Sequence, residues 1–240
     1  MRIIADTYIF RRIEKKYRVS KSEKERLLAE ISEHLIPDPH GRSTIMSLYL
    51  DTPDFLLIRN SIDAKTYKEK LRVRSYGTPS SDSKVFMEIK KKYKGVVYKR
   101  RIKLSLSQAE EYIKSGKRPE SSQIMDEIDY AMSFYRHPKP KMLIAYERDA
   151  FYVKDMPNLR LTFDSAIRYR ENDLFLEHGS RGTEIIGRDE YILEIKTDGA
   201  MPIWLAKALS RLMILPSSFS KYGTAYRNNI PKGIMEYEFV

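Results

Sequence analysis

Cysteine is absent from the 240 residues. Disulfide cross-links, thiolate metal sites and cysteine nucleophiles are therefore excluded. Histidine is scarce: His34, His40, His137 and His178 stand apart and show no metal-ligand spacing. No run approaches the roughly 20 apolar residues that a membrane-crossing helix needs. The start, Met1-Arg2-Ile3-Ile4-Ala5-Asp6, lacks the apolar core of a secretory signal. Internal repeats, low-complexity tracts and a splitting linker are also missing. The expectation is a soluble, cytoplasmic protein with one domain over residues 1–240. What the chain has in excess is positive charge. Lysine and arginine number 44 against 33 acids, a net +11, which points to an anionic partner such as nucleic acid, acidic lipid or polyphosphate.

Alternation of period two dominates the chain. In Tyr191–Thr197, Leu193 and Ile195 take one face and Glu194 and Lys196 the other. Phe86–Lys90 repeats the pattern with Met87 and Ile89 against Glu88 and Lys90, and Leu71–Arg74 with Arg72 and Arg74. An opening strand over residues 7–19 sets Glu14 and Lys16 on one face. Further strands are predicted at 43–51, 96–104, 142–153 and 159–170. In the 96–104 strand, Lys99, Arg101 and Lys103 alternate with Tyr98, Ile102 and Leu104.

Helical spacing appears between these strands. Ser20-Lys21-Ser22-Glu23 is a capping box, followed by a stripe of Leu27, Leu28, Ile31 and Leu35 that Pro37 and Pro39 end. Residues 56–63 read as a short helix or an irregular link. Leu106, Ala109 and Ile113 predict one helix, and Ile124, Ile128, Met132 and Tyr135 another. Pro202 opens a helix through Leu205 and Leu209, and a last one starts near Ser217. The fold class that follows is α+β: an antiparallel sheet of about eight strands, closed or nearly closed into a barrel tunnel, with helices packed outside.

A charged strand face ordinarily looks at water. Here the same kind of face recurs on several strands, with long cations interrupted singly by Glu14, Glu88 and Glu194. A barrel with these faces turned inward would need a dense anion to hold its cations together. Phosphate chains have that density, and arginine forks match their oxygens. A glutamate among the cations suits a hard divalent metal bridging carboxylate and phosphate.

The motifs Glu14-x-Lys16-Tyr17, Arg72-x-Arg74, Glu88-x-Lys90, Tyr146-x-Arg148, Glu194-x-Lys196 and Ser220-Lys221-Tyr222 resemble, in order, those of the VTC domain. That is the polyphosphate polymerase domain of the vacuolar transporter chaperone complex, within the CYTH-like triphosphate tunnel metalloenzymes. The resemblance implies a tunnel in which the terminal phosphoryl group of ATP is transferred to a growing inorganic polyphosphate chain, with Mn²⁺ or Mg²⁺. It implies phosphate contacts and catalysis from Lys16, Arg72, Arg74, Lys90, Arg148, Lys196 and Lys221. Lys99, Arg101, Tyr146, Arg168 and Ser220 would add phosphate contacts, with Arg170 able to replace Arg168. Glu194 would hold the metal, with Glu14 and Glu88 as further ligands.

The chain departs from the tunnel triphosphatases where they open with Glu-x-Glu-x-Lys. Here that place reads Arg12-Ile13-Glu14-Lys15-Lys16, and fewer carboxylates favour gripping a long polyanion over hydrolysing a short one. Hydrolysis of a triphosphate, and a non-catalytic polyphosphate-binding module, are the alternatives. Nucleic acid is disfavoured, because the 17 tyrosines form no RNA-recognition motif. Ordinary readings also stand beside the special ones: Trp204 as core, Asp51 and Asp164 as turn or strand-end carboxylates ahead of additional metal ligands, Lys91 as solvated.

Overall fold

A computed structural model describes residues 13–64, 66–94 and 96–229. Residues 7–12 of the expected opening strand, Gly95 of an expected turn and the acidic, aromatic tail at 236–240 lie outside the described residues. The strands are β1 (Ile13–Ser20), β2 (Leu35–Pro37), β3 (Ser43–Asp51), β4 (Tyr67–Tyr76), β5 (Lys84–Tyr93), β6 (Val96–Ser105), β7 (Lys139–Val153), β8 (Met156–Arg170), β9 (Thr183–Glu184) and β10 (Glu190–Thr197). The helices are α1 (Lys21–Ile31), α2 (Leu56–Asp63), α3 (Leu106–Ser115), α4 (Gln123–Phe134), α5 (Ile203–Arg211) and α6 (Lys221–Asn229).

All the strands join one antiparallel sheet in the order β1-β10-β8-β7-β3-β4-β5-β6, with β2 beside β7 and β9 beside β8. The sheet is strongly curled. β1 and β5 are six strand spacings apart, about 29 Å if the sheet were flat. Yet Lys90 of β5 lies 3.7 Å from Glu14 of β1. Among the described residues β1 and β6 do not pair, so the nearly closed form of the expected barrel is the one realised. The outer edge of β1 is protected instead by the 215–217 segment: Ser217 donates its N–H to the Lys16 carbonyl at 2.7 Å, and Tyr17 bridges Pro216.

Alternation along the strands separates an outer, apolar face from an inner one. Outside, α3 and α4 cover β3 to β6 over Met46, Leu71, Val73, Met87 and Ile89. On the other half α1 and α5 cover β1, β8 and β10 over Val19, Leu161, Phe163, Leu193 and Ile195. Each such large apolar side chain contributes about 1.5–3 kcal/mol by leaving water. A third cluster lies on the inner face itself, where Ile45, Tyr49, Ile144, Tyr146 and Ile192 meet Ile58 of α2 and Tyr222 of α6. It fixes α6 against the inner wall, with Lys221 at the helix start.

Several local expectations resolve differently. The 20–35 helix ends at Ile31, and Leu35 opens β2 instead, because Pro37 and Pro39 follow too closely for another turn. Residues 56–63 are a helix, α2, and Asp51 is what starts it. The Asp51 carboxylate accepts N–H bonds from Leu57 at 2.8 Å and Ile58 at 3.0 Å, and the Tyr222 hydroxyl at 2.9 Å. Trp204 is only partly buried and stacks on His34 at 4.0 Å. Lys91 is half-buried, 3.6 Å from Glu69.

Candidate active site in the lumen

The inner face carries two carboxylate centres. The first is Glu88, 1% exposed. Arg72, on the adjoining strand and directly opposite it in register, donates to Glu88 Oε2 through Nε at 2.8 Å and through a terminal nitrogen at 2.7 Å. Lys99 Nζ lies 2.6 Å from Oε1 and Arg74 3.8 Å from Oε2. Burial alone would raise the Glu88 pKa, but Arg72, Arg74 and Lys99 outweigh it and lower it to about 2. Arg101, across from Glu88 on β6, lies over the Phe86 ring at 4.9 Å.

The second centre is Glu194, 6% exposed. Lys196 donates to it at 2.8 Å, Lys221 at 3.4 Å, and Lys16 and Arg148 stand at 3.6 Å. Burial raises its pKa, and Lys221, Lys196, Lys16 and Arg148 together carry it well below the usual carboxylate range. Next to it, Asp164 is fully buried. It accepts a two-pronged bond from Arg148 at 2.6 and 2.7 Å and a third from Lys221 at 2.5 Å. The Tyr146 ring lies under both cations, 5.2 Å from Arg148 and 4.5 Å from Lys221.

Glu14 links the two centres, 3.4 Å from Lys16 and 3.7 Å from Lys90. Ser220 does so from the other side. Its hydroxyl accepts from Lys70 Nζ at 3.0 Å and, at the start of α6, from the Gly223 N–H at 3.1 Å. Burial, and behind it the neighbouring Lys90, Lys16 and Arg72, lowers the Lys70 pKa to about 8 despite the opposing pull of Tyr49. The Tyr49 hydroxyl accepts from Arg72 at 3.0 Å. Burial pushes the phenol up, but Arg72, Lys70 and Arg74 prevail and bring it down to about 8.

Lys16, Arg72, Arg74, Lys90, Lys99, Arg101, Tyr146, Arg148, Lys196, Ser220 and Lys221 thus converge on one inner wall with Glu14, Glu88 and Glu194. Arg168 does not. A bulge between Ser165 and Arg168, with Ala166 at φ 46°, shifts β8 by one residue. Before the bulge Asp164 pairs with Arg148 on the inner face. After it Arg168 pairs with Ala145, on the outer face. There Arg168 is held by Glu147 at 2.8 Å and the Ser180 hydroxyl at 2.6 Å. Arg170 also points outward, to the carbonyls of Asp173, Phe175 and Gly179.

Of the other inner residues, Lys70, Arg160 and Thr162 carry no assignment from the sequence, and Asp164 carries only that of a turn or strand-end carboxylate. Lys70 extends Arg72-x-Arg74 by one more alternation, a signal in plain sight. Arg160, Thr162 and Asp164 alternate with Leu159, Leu161 and Phe163, the same signal as elsewhere. Among the described residues no three carboxylate or imidazole groups converge as a ready metal-binding set.

Comparison with known proteins agrees with this geometry. The profile of the VTC domain matches residues 11–229. No curated protein sequence matches the chain. Among solved structures, a candidate adenylyl cyclase from Hippeastrum with a dominant triphosphatase activity is similar at TM-score 0.55 and 18% identity, covering 92% of this chain and 98% of its own. A candidate adenylate cyclase from Bacillus halodurans is similar at TM-score 0.54 and 16% identity, covering 87% of this chain and 92% of its own. At such identities these likenesses speak for the fold, a curled antiparallel sheet of the CYTH-like tunnel type. With its profile match running almost end to end, the chain belongs to the VTC domain family.

Proposed function

We propose that the lumen binds a linear polyphosphate and the triphosphate of ATP, and transfers the terminal phosphoryl group of ATP to the end of the chain. The observation that carries this reading is the convergence of cations from β1, β4, β5, β6, β7, β10 and α6 on one wall, where carboxylates are too few to neutralise them. Only a dense, extended anion completes such a wall. An ATP donor goes with a cytoplasmic location.

Phosphoryl transfer asks the protein mainly for positioning and charge neutralisation. Arg72 is oriented for this by Glu88, which holds its guanidinium fork against the wall. Lys16, Lys196 and Lys221 are ammonium point charges that phosphate oxygens can draw away from Glu194. No general base is needed, because the attacking phosphate terminus is already an anion.

Glu194 and Glu14 fit a hard divalent ion such as Mg²⁺ or Mn²⁺. They sit on adjoining strands, Glu194 directly opposite Lys16 and Glu14 opposite Lys196, and Glu14 feels the charge of Glu194. Such an ion needs only one or two carboxylates when phosphates supply the remaining oxygens. When bound it would neutralise charge on the transferring phosphoryl group. Glu88, engaged by the Arg72 fork and with no second carboxylate beside it, is left out of this set and acts as an orienting group.

Hydrolysis is the second reading, favoured by the triphosphatase activity of the Hippeastrum relative. A binding module without catalysis is the third. Incubation of the purified protein with ATP and Mn²⁺ separates them. Long chains on a gel support polymerisation, free phosphate without chains supports hydrolysis, and ATP left intact with polyphosphate bound leaves only binding.

A further inference from the structure

We infer that the hydroxyl of Thr162 is a phosphate-contacting group of the lumen, one whose hydrogen bond is made only when the anion is bound. The inference rests on the phosphate-binding reading above. Thr162 is 1% exposed and its Oγ1 has no hydrogen-bond partner. Buried hydroxyls are nearly always partnered, and one left unmade is costly. Its place is set by register. Thr162 lies directly opposite Glu194 on β10 and opposite Ala150 on β7, so it shares the inner face with the Glu194 centre. Asp164 is two residues further along the same face.

A second unmade donor stands two residues away on that face. Arg160 donates through a terminal nitrogen to Asp38 at 2.7 Å, but its buried Nε has no partner. Arg160 is itself opposite Lys196. A hydroxyl and a guanidinium N–H, both without acceptors and beside an ammonium, call for an anion rich in oxygens. In the free protein Lys196, Lys221 and Arg148 are engaged with Glu194, directly opposite Thr162, and with Asp164, two residues along. A phosphate that draws Lys196 and Lys221 toward itself would come to lie on the face that Thr162 shares. The free fold gains nothing from the hydroxyl, and valine would have the same shape without the unmade bond.

The test is titration of inorganic triphosphate, in EDTA, into the wild-type chain, Thr162→Val and Thr162→Ser, read by calorimetry and by thermal melting. Thr162→Val is expected to melt at or above the wild-type temperature when free. It is expected to bind triphosphate roughly tenfold or more weakly, the loss of one hydrogen bond to a charged group. Thr162→Ser should bind within about threefold of wild type, a difference well under one such bond. Should Thr162→Val fail to fold, Thr162→Ala replaces it with the same expected binding. Wild-type affinity in the hydroxyl-free variant overturns the inference and leaves the lumen reading intact. No binding of triphosphate by the wild type overturns both.

Discussion

Glu88 and Glu194 are alike at first sight: each is a buried carboxylate ringed by cations on the inner wall. They differ in how they are built. Arg72, Arg74, Glu88 and Lys99 come from three consecutive strands joined by turns, so the Glu88 centre is complete within one local meander. The Glu194 centre draws on β1, β7, β8, β10 and the start of α6, parts far apart in the chain. They also differ in charge balance. Glu88 faces its cations alone, whereas Glu194 has Asp164 and Glu14 beside it. The first arrangement suits holding an arginine fork in place. The second gathers anions as well as cations, which is what a site for a metal and a reacting phosphate requires. Buried ion pairs do not by themselves argue for stability, since desolvation offsets their attraction. Their retention at Glu194, with its partners exchangeable for phosphate oxygens, fits a working site better.

Substitutions can break this comparison. The largest effect is expected from Glu194→Gln, which should cut ATP turnover by about a hundredfold or more at saturating metal, since it removes the carboxylate proposed to hold the charge-neutralising ion. Steady-state kinetics across a Mn²⁺ series read this directly, and unchanged turnover would remove Glu194 from the reaction. Glu88→Gln should instead act mainly on the fold. Removing the anion from among Arg72, Arg74 and Lys99 leaves buried cations unpaired, a loss of about 3–5 kcal/mol in denaturant unfolding, while the metal dependence of turnover stays wild-type. If the two variants exchange these behaviours, the roles assigned to the centres are reversed.

Arg72→Lys comes next. The charge remains but the fork is lost, and triphosphate affinity should fall roughly tenfold. A pH effect of smaller size is expected from Lys70, whose pKa in the fold is about 8 against an ordinary 10.5. The lowered value means that folding releases a proton, so this group's contribution to stability rises with pH from about 8 to 10.5. A bound polyanion pulls the other way and restores the proton. Triphosphate affinity should therefore decline as pH rises through about 8, with proton uptake visible by calorimetry in buffers of different ionisation enthalpy. A flat affinity across that range would show that Lys70 does not meet the anion. The smallest effect is reserved for Arg168→Ala: triphosphate affinity within about twofold of wild type, well under the worth of one charged hydrogen bond, because the side chain faces outward.

Arg168 also shows where the sequence stops being readable. Alternation assigns faces correctly only while the ladder is regular, and the bulge at Ala166 shifts the count by one. Nothing in Phe163-Asp164-Ser165-Ala166-Ile167-Arg168 marks that shift. Where the strands are regular, the inner residues were legible from period two alone: Arg72 with Arg74, Glu88 with Lys90, and Glu194 with Lys196. Asp164 lies before the bulge, in the regular alternation of Arg160, Thr162 and Asp164, so its inner place was legible although it was read as a strand-end acid. Lys221 carried no periodic signal and was reached only through the resemblance of Ser220-Lys221-Tyr222. It is placed with its neighbour Tyr222, which stacks on Tyr49 at 4.4 Å, a contact between residues far apart in the chain. The curl that brings Glu14 to Lys90 was likewise legible only as a tendency of large antiparallel sheets.

Crystals soaked with inorganic triphosphate and Mn²⁺ test the central claim most directly. Difference density for the phosphate chain is predicted along the inner wall, between Arg72 and Lys221, with the ion beside Glu194 and not beside Glu88. Phosphate density confined to the outer faces of the sheet, or an ion on Glu88, would contradict the account.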